Sequence, residues 1–383
     1  MLDFDDDQDY GQTSKSNGSM KKTFTELLIL TMMLLGLPLL GVTLADKPIT
    51  LYLEFPPQTS HIRHAPFSWP VFVGHCFFIL VMVAPFFVQG VKRDSRDKDI
   101  PSPSFPFPWW GGFGILFGTA AWILAWTRFQ WFTEIQAHSF TPLWIAYIMT
   151  INAMTYRRTG HCMLRDRPGP FLLLFPLSGA FWWFFEYLNR FVQNWYYVGS
   201  HFGPGEYFLY ATLPFSTVLP AVISTREWLL GFLWPWEKFQ NFLPITCPHP
   251  RLLVWTVLSI TGLGLAGIGV WPNYLFSLLW ISPLMIILCL QTIFKEPHLF
   301  SDIARGDWRT ILSSALAALM CGFFWEMWNY YSLAKWKYSI PFVHGFQIFE
   351  MPILGYAGYL PFGMACTVIA DLIIKKGKNE EPK

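Results

Sequence analysis

The sequence predicts an all-α polytopic membrane protein, a helical bundle of about ten transmembrane helices. Of its 383 residues, 53% are apolar, 19% are aromatic and only 14% are charged, whereas ordinary soluble domains carry about 25% charged residues. Apolar runs recur along the whole chain, and a helix needs about 20 such residues to cross a bilayer. The formal net charge is only +2, so no basic field indicates a nucleic-acid partner.

Ten apolar segments are the candidate spans: 24–44, 69–90, 109–127, 140–156, 170–189, 207–224, 252–270, 274–294, 311–331 and 348–374. The fourth is short for a bilayer, so we expect it to be tilted or shielded by its neighbours. Some spans contain prolines, such as Pro176, Pro214 and Pro220, where neighbouring helices can satisfy the carbonyls that proline leaves free. The run after Lys21 and Lys22 predicts a first membrane helix rather than a cleaved signal.

The basic residues indicate how the spans are oriented. With a cytoplasmic N-terminus, 21 of the 27 lysines and arginines fall in internal loops and tails, and six fall outside: Lys47, Arg63, Arg128, Arg190, Lys335 and Lys337. Short cytoplasmic loops carry an excess of Lys and Arg, so we expect a multi-pass protein with both termini in the cytoplasm. We expect a disordered acidic tail over 1–22, one transmembrane domain over 23–375 and a basic tail over 376–383.

A polar motif occurs twice among aromatic residues. Glu186 and Asn189 lie in the run 181–197, and Glu326 and Asn329 lie 140 residues later (326 minus 186) in the run 321–331. Each Asn follows its Glu by three residues, so the two side chains share one face of a helix. The predicted topology puts both glutamates at the outer ends of spans 5 and 9.

The two motifs belong to a longer similarity. Each is followed by an aromatic loop and then by a related opening of the next span, Tyr-Ala-Thr-Leu-Pro-Phe at 210–215 and Tyr-Ala-Gly-Tyr-Leu-Pro-Phe at 356–362. An even number of spans separates the two copies, so they run in the same direction. The sequence therefore predicts a parallel duplicated helical hairpin, at about 170–224 and 311–374.

The twinned motif is the candidate site. A carboxylate at membrane depth is costly and marks a functional site or a paired structural contact. The candidate catalytic residues are therefore Glu186, Glu326, Asn189 and Asn329. A polar clamp between spans 5 and 9 explains the same residues equally well, and the sequence leaves both explanations open. The residues expected to line a substrate cavity are Trp182, Trp183, Trp195, Tyr197, Trp325, Trp328, Trp336, Tyr338, Arg190, His344 and Glu350.

Other polar residues of the spans have simpler explanations. Asp371 is explained by pairing with Lys375 one turn later, and His75 by packing on an apolar helix. No His-x-x-x-His or Cys-x-x-Cys spacing predicts a metal site. No phosphate loop or nucleophile motif identifies a cofactor, whose identity the sequence leaves unknown.

Two resemblances bear on function. The run Gly-Phe-Phe-Trp-Glu-Met-Trp-Asn at 322–329, with its copy at 181–189, resembles the Trp-Glu helix of integral-membrane terpene cyclases. In that family, membrane acids initiate the cyclisation of a prenyl chain; the likeness covers about eight residues. The motifs Phe-Glu-Met-Pro at 349–352 and Glu-Tyr-Leu-Asn-Arg at 186–190 resemble those of uncharacterised bacterial ten-helix inner-membrane proteins. That second resemblance implies a location in the bacterial inner membrane but no activity.

Three functions stay open at this point. The first is an enzyme that acts on an isoprenoid, carotenoid or other lipid, because aromatic faces stabilise cations and a carboxylic acid in an apolar pocket can donate a proton. The second is a transporter or channel in which the paired Glu and Asn oxygens bind a cation or a proton. The third is a non-catalytic subunit of a larger membrane complex that binds a pigment, quinone or lipid. In all three, membrane lipids are the immediate partners.

Overall fold

The computed structural model describes residues 25–56, 59–92, 104–199, 202–232 and 236–379. Within them, each predicted span corresponds to one helix: α1 Thr25–Leu44, α2 Trp69–Val91, α3 Trp109–Trp126, α4 Phe140–Thr159, α5 Pro168–Val192, α6 Pro204–Leu230, α7 Pro250–Gly267, α8 Leu278–Ile293, α9 Arg309–Tyr331 and α10 Tyr359–Asn379. The prediction of an all-α polytopic membrane bundle is confirmed. The acidic tail predicted at 1–22 lies outside the described residues.

Eight helices of the described chain are long and apolar enough to cross a membrane, and their outer faces imply contact with lipid. The two predicted spans not among them are α4 and α8. Helix α8 is apolar but has only 16 residues, fewer than the roughly 20 that cross a bilayer. Helix α4 carries more polar residues, and nine of its residues are buried, so neighbouring helices shield it as we expected.

Short elements connect the helices. Single helical turns occupy Thr50–Leu53, Met163–Asp166, Pro272–Leu275, Gln130–Phe132, Gln136–His138, Ile303–Arg305 and Ile353–Gly358. Two two-stranded antiparallel ribbons are also present, β1 Trp195–Val198 with β2 Lys335–Tyr338, and β3 Gln347–Ile348 with β4 Met351–Pro352. Most of these elements lie where the sequence predicted loops. However, Ile348 of β3, strand β4 and the turn Ile353–Gly358 lie within the predicted span 348–374, whose α-helix begins only at Tyr359. The sequence did not predict the ribbons.

The loops expected on the outer side all meet at one end of the bundle, which we call the outer end. There Lys47 Nζ donates to Gly269 O at 2.6 Å, and Arg128 Nη2 donates to Tyr331 O at 2.6 Å. The loops at the opposite, inner end also contact one another, as where Arg158 Nε donates to Gly231 O at 2.8 Å. The helices therefore alternate in direction in the order that the sequence predicts.

Helices α6, α9 and α10 pack together at the centre, with α3 and α4 on one side and α1, α7 and α8 on the other. Helix α6 is broken after Phe215, next to Pro214, where proline interrupts the ladder of backbone hydrogen bonds. Ser178 of α5 repairs the break: its hydroxyl donates to Phe215 O at 2.6 Å and accepts from Leu219 N at 2.9 Å. Such repair by a neighbouring helix is what allows proline within a span.

Helix α2 stands apart from this bundle, because none of its residues is buried. It is attached near its two ends. At the outer end Ser68 N donates to Phe342 O at 2.9 Å, and at the inner end Gln89 Nε2 donates to Lys238 O at 2.9 Å. Between these attachments, α2 borders a cavity of about 2450 Å³ whose other walls come from α6, α8, α9 and α10. We call this cavity the cleft.

Candidate functional site

Glu186 lies near the end of α5 and has no solvent-exposed surface. Its Oε1 atom accepts three hydrogen bonds, from Trp182 Nε1 at 3.0 Å, Trp195 Nε1 at 3.0 Å and Tyr197 OH at 2.5 Å. Its Oε2 atom has no hydrogen-bond partner among the described residues. One oxygen of this carboxylate is therefore held by aromatic donors, while the other is buried without a hydrogen bond from the described residues.

Glu326 has the corresponding arrangement near the end of α9, where it too is fully buried. Its Oε1 atom accepts from Tyr338 OH at 2.7 Å and from Tyr359 OH at 2.8 Å. Trp336 Nε1 donates to the Tyr338 hydroxyl at 2.8 Å. Oε2 again lacks a partner within the described chain.

The two asparagines fasten the following loops to the helix ends. Asn189 Nδ2 donates to Trp195 O at 2.8 Å, and its Oδ1 accepts from Asn194 N at 2.8 Å. Asn329 Nδ2 donates to Trp336 O at 2.8 Å, and its Oδ1 accepts from Trp336 N at 2.9 Å. Both amides therefore act on the glutamates indirectly, by fixing the strand that carries the aromatic donors.

The donors to both carboxylates lie on one ribbon. In the β1–β2 ladder Trp195 faces Tyr338, and Tyr197 faces Trp336. These four side chains lie on one face of the ribbon, because alternate residues of a strand point the same way. A twofold rotation that places β1 on β2 would place Trp195 on Trp336 and Tyr197 on Tyr338. The two halves of the site are therefore related approximately by a twofold axis.

The halves differ in two donors. Trp195 Nε1 donates to its glutamate, whereas Trp336 Nε1 donates to the Tyr338 hydroxyl. Where α5 has Trp182, four residues before its glutamate, α9 has Gly322. The space beside Gly322 is filled by the ring of Tyr359, since a Cβ atom on this glycine would lie 2.4 Å from Tyr359 Cε2. Tyr359 thus supplies to Glu326 the hydrogen bond that Trp182 supplies to Glu186.

The cleft meets the site at the aromatic donors and not at the carboxylates. The donors that line it are Trp182, Trp195, Tyr197, Trp336, Tyr338 and Tyr359. Neither Glu186 nor Glu326 is among the lining residues. The candidate catalytic carboxylates therefore lie behind their own donors and not on the wall of the cleft. Within the described residues, no lysine, arginine or histidine forms an ion pair with either carboxylate, and the groups that hydrogen-bond to them are indoles and phenols.

The tyrosines of the ribbon keep their protons. Burial raises the pKa of the Tyr197 hydroxyl well above its ordinary value, and the nearby Glu186 carboxylate raises it further. Burial and the Glu326 carboxylate likewise raise the pKa of Tyr338. At neutral pH both hydroxyls are therefore hydrogen-bond donors.

The remaining residues predicted to contact substrate are scattered. Trp325 lines the cleft and stacks on Tyr359 with 5.9 Å between ring centroids. Trp183 donates to Thr212 Oγ1 at 2.9 Å, and Trp328 is buried against α4. Neither of these two tryptophans is among the lining residues of the cleft.

The polar candidates at the outer end have partners other than Glu186 and Glu326. Arg190 donates to Glu54 Oε2 at 3.0 Å, on the outer surface. His344 is exposed. Glu350 accepts from Lys335 Nζ at 2.5 Å, in an ion pair at the outer end of the cleft.

Sequence reasoning missed several residues of the site. Tyr359 could have been found, because it lies in the repeated opening of span 10. Trp280 of α8 stacks on Trp195 with 5.6 Å between centroids and on Phe185 with 5.0 Å, and no local pattern reveals such a contact. Asn194 and Tyr207 also line the cleft, and no local sequence pattern distinguishes them from the polar residues around them.

A second set of buried polar groups lies in the core, away from the cleft. Thr225 Oγ1 hydrogen-bonds to Tyr147 OH at 2.8 Å and to Cys321 Sγ at 3.3 Å. Nearer the inner end, Arg226 interacts electrostatically with Asp371. We expected Asp371 to pair with Lys375, whose side chain is not described; the structure adds a cationic neighbour on α6.

Among the described residues, no group of three or more His, Cys, Asp and Glu side chains could hold a metal ion. Comparisons of the chain with protein-family models, with curated proteins and with solved structures find no match.

Proposed function

We propose that this protein is a membrane enzyme that binds a long apolar molecule, such as an isoprenoid, a carotenoid or another lipid, and carries out acid/base chemistry on it. The ligand would lie in the cleft. Glu186 and Glu326 would exchange protons with it through the tyrosines that they hold. Asn189 and Asn329 would position the strands that bear those tyrosines.

One observation carries this proposal: two fully buried carboxylates are each hydrogen-bonded to a tyrosine that lines a large aromatic cleft. The cleft, at about 2450 Å³, exceeds the 300–1,000 Å³ or so of sites for compact small molecules. Its length along α2 suits an extended chain. Because α2 is detached from the bundle between its ends, such a chain could enter sideways from the bilayer.

The hydrogen bonds define a route for one proton. When the site acts as a base, the tyrosine oxygen takes a proton from the ligand and the tyrosine proton passes to Glu Oε1. When it acts as an acid, both transfers run in reverse. The net change is one proton moved between ligand and carboxyl group, and the tyrosine ends as it began. Such general acid–base catalysis contributes about 10²–10⁴-fold to a rate.

The test compares the lipids of cells that carry the gene with those of cells that lack it, by mass spectrometry of total extracts. A lipid that depends on the gene should disappear in Glu186→Gln or Glu326→Gln variants that still accumulate in the membrane. Glu54→Gln is the matched control, because Glu54 is an outer-end glutamate bonded to Arg190 away from the cleft. Unchanged lipids in both the Glu186→Gln and the Glu326→Gln variant would exclude this function.

A second candidate, passage of protons or cations, is supported by the buried polar groups of the core. They offer polar side chains inward of Glu326, including Thr225, Tyr147 and Cys321. Flux into proteoliposomes that disappears in Glu326→Gln and in Thr225→Val would favour transport over catalysis. Turnover of a lipid by a protein that passes neither protons nor cations would exclude the transport function.

We further propose that the protein resides in a bacterial inner membrane with both termini in the cytoplasm, and that its two halves arose by duplication of one hairpin. The distribution of basic residues supports the orientation. The shared geometry around Glu186 and Glu326 supports the duplication.

A further inference from the structure

We infer that the ligand of the cleft carries an uncharged hydroxyl group, which Asn194 and Tyr207 bind at the outer end. This inference rests on the proposed function and names the class of ligand, a long-chain alcohol. It is drawn from two polar atoms that the fold leaves without partners beside a largely apolar space.

Asn194 is the first of these residues. It is 4% exposed, it lines the cleft, and its Oδ1 atom has no hydrogen-bond partner among the described residues. Its backbone is already engaged, since its N–H donates to Asn189 and its carbonyl accepts from Ser339 N at 2.8 Å. The side-chain amide is therefore not needed to fix the loop. A buried polar atom without a partner costs roughly 1–3 kcal/mol, so a ligand that bonds to it gains affinity.

Tyr207, near the start of α6, is the second. Its hydroxyl oxygen is buried and lacks a partner within the described chain, and the residue lines the cleft. Its ring lies 6.2 Å from that of Tyr197, the tyrosine held by Glu186. A group bound by Tyr207 would therefore lie close to the proposed proton route.

A hydroxyl group matches both residues. It donates one hydrogen bond and accepts others, so it pairs with the Asn194 amide whichever way the amide is turned and with a phenol in either role. A hydrocarbon would leave both atoms unsatisfied. A carboxylate could only accept, and either a carboxylate or a phosphate would bring a charge into the cleft.

The charges around the cleft also disfavour an anionic headgroup. Lys335 is the only lysine or arginine among the described lining residues. Its Nζ atom already pairs with Glu350 at 2.5 Å and donates to Tyr330 O at 3.0 Å. Phosphate sites in proteins rely on several arginine, lysine or backbone N–H donors. The described lining of the cleft has a single such cation, Lys335, and its charge is neutralised by Glu350. The inner part of the cleft is lined by apolar residues such as Leu312 and Leu316. These side chains would contact the hydrocarbon chain of the ligand.

The test uses the full-length protein in detergent, incubated with an equimolar mixture of octadecanol, octadecyl phosphate and octadecane. Native mass spectrometry then counts the three bound forms. Octadecanol should exceed octadecane by about tenfold, the effect of one satisfied buried hydrogen bond, and should exceed the phosphate by more. Asn194→Leu or Tyr207→Phe should lower the preference for octadecanol over octadecane toward one, without weakening octadecane. Tyr356→Phe is the control, because Tyr356 also lines the cleft but its hydroxyl already donates to Ile348 O at 3.1 Å.

The outcomes separate this inference from the proposed function. Equal binding of the three compounds, or a preference for the phosphate, would overturn the hydroxyl headgroup and leave a chain-binding cleft in place. A preference that survives both cleft variants would overturn the assignment to Asn194 and Tyr207. If no compound bound, the proposed function itself would fall.

Discussion

Trp195 and Tyr338 face each other in the β1–β2 ladder, yet they donate to different buried carboxylates. Trp195 Nε1 donates to Glu186 Oε1 at 3.0 Å, and Tyr338 OH donates to Glu326 Oε1 at 2.7 Å. The same ribbon thus holds the glutamate of α5 and the glutamate of α9. Removing a hydrogen bond at one carboxylate should therefore alter the stability of the hydrogen bonds at the other.

The first prediction concerns this coupling. Tyr197→Phe and Tyr338→Phe each remove one donor from a buried carboxylate, and each should lower the free energy of unfolding by roughly 1–3 kcal/mol. Because both tyrosines belong to one ribbon, the double variant should depart from the sum by more than about 0.5 kcal/mol. Denaturant titration of the purified protein in detergent measures all three values. Tyr331→Phe is the control: Tyr331 is 55% exposed, so the free energy of unfolding should change little. Strict additivity of the two single variants would show that the two carboxylate sites are independent.

The second prediction concerns the close contact at Gly322. Gly322→Ala places a methyl group 2.4 Å from the Tyr359 ring, and overpacking of this kind costs roughly 1–3 kcal/mol. The displaced ring should also lose its bond to Glu326. Gly112→Ala in α3 is the control, since nothing lies within 4 Å of its added Cβ.

Helix propensity alone should make Gly112→Ala neutral or stabilising, by about 0.5–1 kcal/mol. The double variant Gly322→Ala, Tyr359→Leu should lose less free energy of unfolding than the sum of the two single variants, because the smaller leucine side chain leaves space for the added methyl group. If Gly322→Ala were as stable as the unchanged protein, the ring would not be confined as described.

The third prediction concerns the amides that fasten the ribbon. Asn329→Leu leaves the N–H and the carbonyl of Trp336 without their hydrogen bonds to the Asn329 amide. The free energy of unfolding should therefore fall by at least the roughly 1–3 kcal/mol that one unsatisfied buried polar group costs. Asn189→Leu should behave alike. Asn241→Ala, in an exposed loop, should be within about 0.5 kcal/mol of the unchanged protein. Thermal unfolding followed by circular dichroism provides the comparison, and equal midpoints would contradict the clamp.

The sequence predicted the helices well because each span carries its own signal. A run of apolar residues long enough for a bilayer marks a helix without knowledge of its neighbours, and all ten predicted segments form helices. The pattern also identified Glu186 and Glu326, since a carboxylate in an apolar run is rare.

What the sequence did not reveal depends on contacts between distant segments. The pairing of Trp195 with Tyr338 joins residues 143 positions apart (338 minus 195), and strands of four residues in aromatic loops have no distinctive pattern. The position of the carboxylates behind their donors follows from that ribbon. The detachment of α2 was equally hidden, because a lipid-facing helix and a cleft-lining helix have the same composition.

The last prediction concerns orientation, and the chain supplies its own reporter. Cys247 is exposed in the loop before α7 at the inner end. A maleimide that cannot cross membranes should label it in inverted vesicles, whose cytoplasmic face is outside, and not in right-side-out vesicles. Cys162 lies at the same end, but it is buried, and burial raises the pKa of its thiol to about 11. At pH 7 to 8 almost none of it is thiolate, the reactive form.

Cys247→Ser should therefore abolish labelling from either side, because Cys289, Cys321 and Cys366 are buried and Cys76 lies within α2. Unfolding the labelled protein in denaturant should expose the five other thiols and show that they were present and unreacted. Labelling of Cys247 only in right-side-out vesicles would reverse the topology. The ribbon, both glutamates and the proposed headgroup site would then face the cytoplasm, and a ligand headgroup would have to reach Asn194 from the inner leaflet.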